Sequence, residues 1–431
     1  MSGIERRHFL MGSMATALAA TIGKASAAET TDLLPPADDT AIATDGVYWA
    51  AVSDLYDVDR SIANLENGYW GIMARPVLQA YLENTQRVNR QNTIYARSVF
   101  SKDAEDARDR VAAAVGAAPE EIALTRGATE ALQKLIAGYN KLKPGDAVIY
   151  SDLDYDSMQY AMNALANRRG VEVKTFAIPE PATREAILDA YRTILEATPK
   201  AKLLLLTHIS HRTGLVMPIR EIADMARARG VDVVVDAAHS WGQIDFNVTD
   251  LGADFVGFNL HKWIGAPIGM GFMYIRRERL ADIDRDLADE DWPEDDIRSR
   301  IHSGTTNFAA TLTVPAALDL HQSITSKRKQ MRLTYLRNYW VKKARAIEAV
   351  EILTPDDDSL HAGITSFRIQ GKTSKEDNNA LMAALRDQHR VLTVRRTGLA
   401  KGPCLRVSPA IYTTEAELDR LVEGLGAISS S

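Results

Sequence analysis

The chain has 431 residues, of which 46% are hydrophobic and 25% charged, and this composition excludes a disordered, collagen-like or coiled-coil protein. Lys and Arg total 51 against 57 Asp and Glu, and the resulting formal net charge of −6 argues against a general nucleic-acid binder. One cysteine, Cys404, excludes an intramolecular disulfide and a cysteine-rich zinc site. The length is sufficient for two or three domains with a substantial core.

The N-terminus has the pattern of an export signal. Residues 5–11 read E-R-R-H-F-L-M, an apolar stretch rich in Gly and Ala follows over 12–23, and K-A-S-A at 24–27 supplies a small-x-small cleavage site. The pair Arg6 and Arg7, followed by Phe9 and Leu10, resembles a bacterial twin-arginine signal. We therefore expect removal of residues 1–27 on export to a periplasmic location. The alternatives are an ordinary basic tail or a membrane anchor, although the apolar run is too short and too rich in glycine to span a bilayer comfortably.

This resemblance has two further implications. The twin-arginine translocase becomes a partner during export, and because that route carries folded proteins, commonly with the cofactor already inserted, a tightly held cofactor is expected. Since no later segment has the length of a membrane span, we also expect a soluble mature protein without stable membrane insertion.

Residues 28–55 are interpreted as an N-terminal arm, exposed over 28–46, where Ala, Asp, Thr and Pro are frequent. A large domain is predicted over 56–313, because short β-branched runs there alternate with helical patterns, which is typical of an α/β layer structure with a mostly parallel sheet. The predicted strands are Ala147–Tyr150, Val171–Phe176, Lys202–Thr207, Val231–Asp236, Phe255–Phe258 and Gly271–Ile275, and the helices between them include Thr129–Gly138, Ser157–Asn167 and Ile219–Arg229.

The last part of the chain, residues 314–431, has a different pattern and is predicted to be a smaller C-terminal α+β domain. One extended helix over Ala316–Val350 opens it, and a helix over Glu415–Leu425 closes it. Three short strands are predicted between them, at Thr365–Ile369, Val391–Val394 and Cys404–Val407.

Three motifs in the large domain carry chemistry. In chain order, the first is R-G-A-T-E-A-L at 126–132, which opens a helix with Gly127 and Thr129. A helix N-terminus presents free N–H groups and the positive end of the helix dipole, which suits a phosphate group. Taken alone, a helix start of this kind is common and nonspecific.

The second motif places Asp236 at the end of a buried strand, in V-V-V-D-A-A-H. A buried carboxylate needs a cationic or hydrogen-bonded partner, and the protonated ring nitrogen of a pyridine cofactor is one that fits. A helix cap, or a metal ligand beside His239, are the alternatives.

In the third motif, F-N-L-H-K-W at 258–263, Lys262 follows a strand and precedes the Gly- and Pro-containing loop G-A-P-I-G-M-G. A lysine in this place can provide the amine of a Schiff base, although an ordinary solvated lysine would have the same pattern.

Together the three motifs resemble the class V aminotransferase family, and the overall sequence is most similar to its isopenicillin-N-epimerase-like branch. The resemblance covers about residues 60–425. It implies a pyridoxal phosphate (PLP) enzyme of fold type I, with a large and a small domain and a homodimeric assembly. Within this resemblance, Lys262 would bind the cofactor covalently, and Asp236 would keep its pyridine nitrogen protonated.

The resemblance also implies the other cofactor contacts, residue by residue. These are Ala128, Thr129, Asn259 and His261 at the phosphate, Tyr155 on the face of the ring, and His211 and His239 at the phenolic oxygen. The chain departs from the family pattern at Asn259, where serine is frequent, and at His211 and His239, where other branches have Asn and Gln. Two histidines there would add titratable groups near the reacting atoms.

Two further positions concern the partner subunit and the substrate. Thr305 matches the residue that reaches the phosphate of the other subunit, which implies active sites shared across a dimer interface; a plain polar loop is the alternative. Arg406 matches the residue that holds the α-carboxylate of the substrate, a task that suits the paired donors of a guanidinium. Arg395 and Arg396 are interpreted either as ligands for a second acidic group or as solvated side chains. No metal site is predicted.

The motifs that bind the cofactor do not select one reaction. Racemisation, transamination, β-elimination and oxidative decarboxylation all begin from the same constellation. We expect a periplasmic enzyme that acts on the amino group of an amino acid or a modified peptide, since this branch includes exported enzymes that tailor peptide siderophores. The alternatives are a PLP-dependent lyase, a cysteine-desulfurase-like enzyme and a non-catalytic ligand-binding protein with this fold. Desulfurase chemistry is disfavoured because the loop that carries the nucleophile in those enzymes matches 396–403 here, where there is no cysteine.

Overall fold

The structure is a computed structural model and describes residues 38–39 and 41–429; the predicted signal peptide lies outside these residues. Its helices are α1 Gly46–Asp54, α2 Arg75–Ser98, α3 Phe100–Val115, α4 Ala128–Gly138, α5 Asp156–Arg169, α6 Arg184–Ala197, α7 Ile219–Arg227, α8 Phe308–Ile324, α9 Ser326–Ala344, α10 Lys375–His389 and α11 Glu415–Ser429. Its strands are β1 Ala63–Asn64, β2 Ile122–Thr125, β3 Ala147–Ser151, β4 Glu172–Phe176, β5 Ala201–Thr207, β6 Asp232–Asp236, β7 Phe255–Asn259, β8 Gly271–Ile275, β9 Val350–Ile352, β10 Thr365–Ile369, β11 Val391–Leu392, β12 Val394–Arg396 and β13 Cys404–Val407.

A seven-stranded sheet in the order β2-β8-β7-β6-β5-β3-β4 forms the centre of the large domain. The strands from β7 to β4 run parallel to one another, and β8 is antiparallel to both of its neighbours. The prediction of an α/β fold with a mostly parallel sheet is therefore confirmed.

Both faces of this sheet are buried along its inner strands, which supply two core layers, whereas the edge strand β4 is largely exposed. Along β5, Leu204 and Leu206 belong to one hydrophobic cluster, whereas Leu203 and Leu205 belong to the other. Successive side chains of a strand point to opposite faces, so a strand covered on both faces is a continuous apolar run rather than an alternating one. This is why the strand positions could be predicted from short runs of Val, Ile and Leu.

The packed part of the chain begins earlier than the sequence suggested. Ile42 is fully buried, and Trp49 and Val52 of α1 lie in the main core. The side chain of Asp45 accepts hydrogen bonds from the backbone N–H groups of Val47 and Tyr48 and so caps α1. The expectation of an exposed arm up to residue 46 is therefore wrong at Ile42, although Thr44 and Gly46 are exposed.

The single helix predicted over Ala316–Val350 is also wrong, because the chain forms two helices, α8 and α9, separated at Thr325. This residue has φ 76°, and its N–H bonds to the carbonyl of His321 at the end of α8. Its hydroxyl accepts from Arg328 N at 3.3 Å and caps α9. Pairing of α8 with α2 and α3 places this helix in the large domain, across the predicted boundary at residues 313 and 314.

The small domain has a four-stranded antiparallel sheet in the order β12-β13-β10-β9, covered by α9, α10 and α11. The strand predicted over Val391–Val394 is two strands, because β11 pairs in parallel with β1 whereas β12 pairs with β13. Through β1, the segment that follows residue 62 is attached to the small domain. Within residues 38–39 and 41–429, no helix combines the length and apolarity needed to cross a membrane.

Candidate active site

The predicted site residues meet in a cavity of about 210 Å³ at the carboxyl ends of the parallel strands. The loops that follow β2, β3, β5, β6 and β7 all start at this edge of the sheet, which is where ligands bind in open α/β sheets. The predicted residues that line the cavity are Ala128, Thr129, Tyr155, His211, Asp236, His239, Asn259, His261, Lys262 and Arg406. Thr305 is exposed and does not line the cavity of its own chain, so its role toward a partner subunit stays a prediction.

The N-terminus of α4 forms one end of the cavity. Gly127 precedes the helix at φ 128°, and a Cβ there would lie 3.1 Å from Oδ1 of Asn259. The same Oδ1 accepts a hydrogen bond of 2.8 Å from the backbone N–H of Ala128. Because this N–H is already bonded, the N–H and hydroxyl of Thr129 are the donors that α4 offers to an anion.

His261 lies beside this helix start. Its Nδ1 is 2.8 Å from the carbonyl of Met270, so the proton is on Nδ1 and the lone pair of the neutral ring is on Nε2. Burial lowers the pKa of His261 below its ordinary value. An anion bound next to Nε2 would oppose this effect and favour the protonated ring.

Asp236, the last residue of β6, is almost fully buried, and burial raises the pKa of its carboxyl group. One of its oxygens accepts a hydrogen bond of 2.9 Å from the N–H of Ala238. Within the described residues, no Lys, Arg or His nitrogen forms an ion pair with this carboxylate. The site therefore has a buried acid on its wall that forms no ion pair with any cationic side chain of residues 38–39 and 41–429.

Lys262 lies in the β7–β8 connection, and its Nζ is 3.1 Å from Nε2 of His239. Burial is the largest cause that lowers the pKa of Lys262, from 10.5 to about 7; Asp236 opposes the shift and Arg406 adds to it. At neutral pH a large fraction of this amine is consequently unprotonated, which is what a nucleophilic amine requires.

Tyr155 and His211 form the side of the cavity near β3 and β5. Their rings meet edge to face with centroids 5.0 Å apart. His211 is buried with Nε2 at 3.6 Å from a carboxylate oxygen of Asp156, and the described part of the chain offers no hydrogen-bond partner to its Nδ1. Burial lowers the pKa of His211 to about 3, so this ring is neutral at physiological pH.

Arg406, on β13, is fully buried and reaches the cavity from the small domain. Its Nη2 donates to both carboxylate oxygens of Glu66, at 2.7 and 2.8 Å, and its Nη1 donates to the carbonyl of His211 at 2.8 Å. Arg396 also contacts Glu66, at 3.3 Å. The guanidinium that was predicted to hold the α-carboxylate of the substrate is thus already paired with a carboxylate of the chain.

The segment that contains Glu66 was missed by the sequence analysis. A Cβ on Gly68 would lie 2.7 Å from Nη2 of Arg406, and one on Gly71 would lie 2.1 Å from the carbonyl oxygen of Lys262. Neither contact leaves room for a side chain. The signal for this close approach was present in the sequence, as two glycines three residues apart in N-G-Y-W-G.

The seven-stranded sheet with a lysine at its carboxyl edge is the fold of type I PLP enzymes. Residues 73–421 match the family model described as Aminotransferase class-V, and the chain belongs to this family. It is a PLP-dependent enzyme.

Among the relatives is the isopenicillin N epimerase of Amycolatopsis lactamdurans, 28% identical over 399 residues that cover 88% of this chain and 98% of that protein. Another is the cysteine desulfurase of Haloferax volcanii, 28% identical over 340 residues that cover 75% of this chain and 78% of the relative. A solved structure of a C-DES mutant with glycine covalently linked to the PLP cofactor has the same fold, with a TM-score of 0.73 at 21% identity over 85% of this chain and 97% of that one.

The residues of the cavity fit this cofactor. The start of α4 can hold a phosphate group, and the buried carboxylate of Asp236 is complementary to a protonated ring nitrogen. The amine of Lys262, whose pKa is lowered to about 7, suits a covalent bond to an aldehyde carbon. The buried, unpartnered Nδ1 of His211 is a further polar atom that a bound group can satisfy.

Proposed function

We propose that this chain is a periplasmic PLP enzyme that acts on the amino group of an amino acid or a modified peptide, with epimerase- or aminotransferase-like chemistry. The observation that carries the proposal is the grouping of Lys262, Asp236, His239 and Arg406 around one cavity. The likeness to a protein named isopenicillin N epimerase supports an epimerase-like reaction. Tailoring of a siderophore or another secondary metabolite fits an exported enzyme of this branch.

Each residue has a defined task in this proposal. When bound, PLP supplies an electron-poor ring that stabilises a carbanion at the α-carbon of the substrate. Lys262 holds the cofactor and then carries a proton on Nζ, while Asp236 keeps a positive charge on the ring nitrogen. Thr129 binds the phosphate. Arg406 orients the substrate, and Glu66 must move or share Nη2 when a substrate carboxylate binds there.

Cysteine desulfurase chemistry is the second candidate, because a relative has that name. Cys404 is fully buried on β13, and its Sγ lies 3.6 Å from the carbonyl of Arg212. Burial raises the pKa of this thiol to about 11, whereas a nucleophilic cysteine needs an accessible thiolate. The chain has no other cysteine, so we propose that it does not carry sulfur as a persulfide.

The substrate class can be tested by mixing the purified enzyme with amino acids and peptides under anaerobic conditions. A substrate changes the absorbance of the bound cofactor, and readmitted oxygen separates an oxidative reaction from transamination to a keto acid. If no amine changes the absorbance while the cofactor is bound, the proposed activity is wrong.

Arg406→Ala should lower kcat/KM by about 30-fold or more, because a lost charge-assisted contact to a carboxylate costs about 2–5 kcal/mol. Arg406→Lys should recover part of this loss, since an ammonium cannot reproduce the planar fork. Cofactor absorbance should stay nearly unchanged. Arg386→Ala, at an exposed arginine of α10, is the control. Wild-type kinetics for Arg406→Ala would show that the substrate is recognised without its carboxylate.

Replacement of both Arg6 and Arg7 by Lys should leave the protein in the cytoplasm, because the translocase reads the arginine pair as an address and not as charge. Immunoblots of the periplasmic and cytoplasmic fractions provide the measurement. Lys24→Arg, which also preserves charge, should not change export. Periplasmic accumulation of the double variant at the wild-type level would overturn the twin-arginine assignment.

The mature protein should have about twice the mass of the cleaved chain in sedimentation equilibrium, as a homodimer with shared active sites. Thr305→Ala should then increase the rate of cofactor loss, because one phosphate contact per site is removed. Thr373→Ala, at an exposed threonine of the small domain, is the matched control. A fully active monomer at micromolar concentration would exclude the shared site.

A further inference from the structure

Both ring nitrogens of His239 have a defined partner. Nε2 lies 3.1 Å from Nζ of Lys262, and Nδ1 accepts a hydrogen bond of 3.4 Å from the indole Nε1–H of Trp263. The histidine and the tryptophan are 5% and 9% exposed, so water competes little for these bonds. The side chain of Trp263 therefore contacts His239, the residue that faces the amine of Lys262.

The indole determines which tautomer of His239 forms. An indole N–H is a donor only, so Nδ1 of His239 must present its lone pair. The neutral ring then carries its hydrogen on Nε2, where it points at Nζ of Lys262. Burial keeps the ring neutral by lowering the pKa of His239 well below its ordinary value. An unprotonated amine accepts the Nε2–H bond, whereas an ammonium group would oppose a second donor.

Charged groups around the two side chains set the electrostatic background. Asp236 and Glu66 favour the protonated form of Lys262, and Arg406 and Arg396 disfavour it. The same two arginines, with Lys262 and the ring of His211, face His239 and disfavour its protonation. These groups affect the charge of the pair, but the direct bonds to the His239 ring come from Trp263 and Lys262.

The pair is fixed by its backbone contacts. Gln243 donates from Nε2 to the carbonyl of His239 at 2.6 Å, and the buried Nζ of Lys329 donates to the carbonyl of Trp263. A Cβ on Gly242 would lie 2.8 Å from the carbonyl carbon of Trp263, which shows how closely the two loops approach. The indole and the imidazole consequently have little freedom to separate.

We propose that Trp263 is a positioning residue that fixes His239 as the Nε2–H tautomer and so adds to the effect of burial in favouring the unprotonated Lys262 amine, the form that reacts with the cofactor aldehyde. This inference rests on the proposed role of Lys262. It concerns the state of the amine before the cofactor is bound, and it holds for each of the reactions open to the enzyme.

Competitive labelling with trace acetic anhydride, read by mass spectrometry across pH 6–10, measures the pKa of Lys262 in the full cofactor-free chain. Exposed Lys102 is the internal reference. Trp263→Phe keeps an aromatic ring but removes the N–H, so His239 can move its proton to Nδ1 and accept from an ammonium. The pKa of Lys262 should rise by about one pH unit, the value of one hydrogen bond. Trp241→Phe, at another buried indole of the core, should leave it unchanged.

Comparison of Trp263→Phe in the wild-type and His239→Gln backgrounds distinguishes a positioning role of Trp263 from a packing role. An amide has no tautomer for the indole to select, so Trp263→Phe should shift the pKa of Lys262 much less there. An equal shift in both backgrounds, or no shift in either, would overturn the proposal.

A second measurement needs no Trp263 variant. In the 15N NMR spectrum of histidine-labelled protein, the His239 signals, assigned by their loss in His239→Gln, should show a protonated Nε2 and an unprotonated Nδ1. A proton on Nδ1 would contradict the proposal even if Trp263→Phe fails to fold. Mapping of the cofactor to Lys262 is a separate experiment, so failure of the proposed function and failure of this inference give different results.

Discussion

Lys262→Ala is expected to lower turnover by about a thousandfold or more, because the covalent attachment to the cofactor and the proton carrier at Nζ are lost together. The fold should be retained, since Lys262 lies in the β7–β8 connection and its side chain faces the cavity rather than the core. Steady-state rates and circular dichroism of the wild type and the variant measure the two effects.

Lys329→Met is the matched control for this variant. Lys329 is the other buried lysine of the region, and burial also lowers its pKa to about 7. Its Nζ bonds to the carbonyl of Trp263 and to Nδ1 of His321, outside the cavity. Lys329→Met should therefore lower the melting temperature, and because Lys329 also supports Trp263, it should lower turnover, but far less than Lys262→Ala does. Substantial turnover by Lys262→Ala would contradict the role of Lys262.

Asp236→Asn is expected to lower kcat by about 30-fold to several thousandfold, since loss of a buried charge pair costs about 2–5 kcal/mol. Asparagine has the same shape but cannot stabilise a protonated ring nitrogen, so the ring accepts electrons less well. The absorbance maximum of the bound cofactor should shift as well, which reports on the ring directly.

Asp245→Asn makes the same chemical change at an exposed position after β6 and should leave both readouts unchanged. Asp236→Glu keeps the charge and should retain more activity than Asp236→Asn. If Asp236→Asn has wild-type kcat and an unshifted spectrum, the carboxylate does not contact the cofactor ring.

The inner strands β5, β6 and β7 were predictable because they are covered on both faces and are therefore short apolar runs, whereas β2 was not predicted. The break at Thr325 was not, since no Gly or Pro marks it and a positive φ at threonine is uncommon. The burial of Ile42 and Trp49 was missed as well, because their partners lie in distant parts of the sequence. Local sequence patterns predict local structure, and these errors occur where tertiary contacts determine the conformation.

The features of the site also divide into those that the sequence predicts and those that it does not. The chemistry of a lysine after a strand and of a buried aspartate pointed to Lys262 and Asp236, and the family pattern supplied the other residues of the cavity. The pairing of Glu66 with Arg406 could not be predicted, because 340 residues separate the two in sequence. The contact between Trp263 and His239 depends on how two loops approach each other, and the spacing of the motifs gives no information on that approach.

Borohydride reduction of the purified enzyme, followed by peptide mapping, tests the central claim most directly. Reduction fixes the cofactor to the lysine that binds it. We predict the label on the peptide that contains Lys262 and its absence from that of Lys329, the second buried lysine whose pKa is lowered to about 7. A label on Lys329, or on any lysine other than Lys262, would contradict the account.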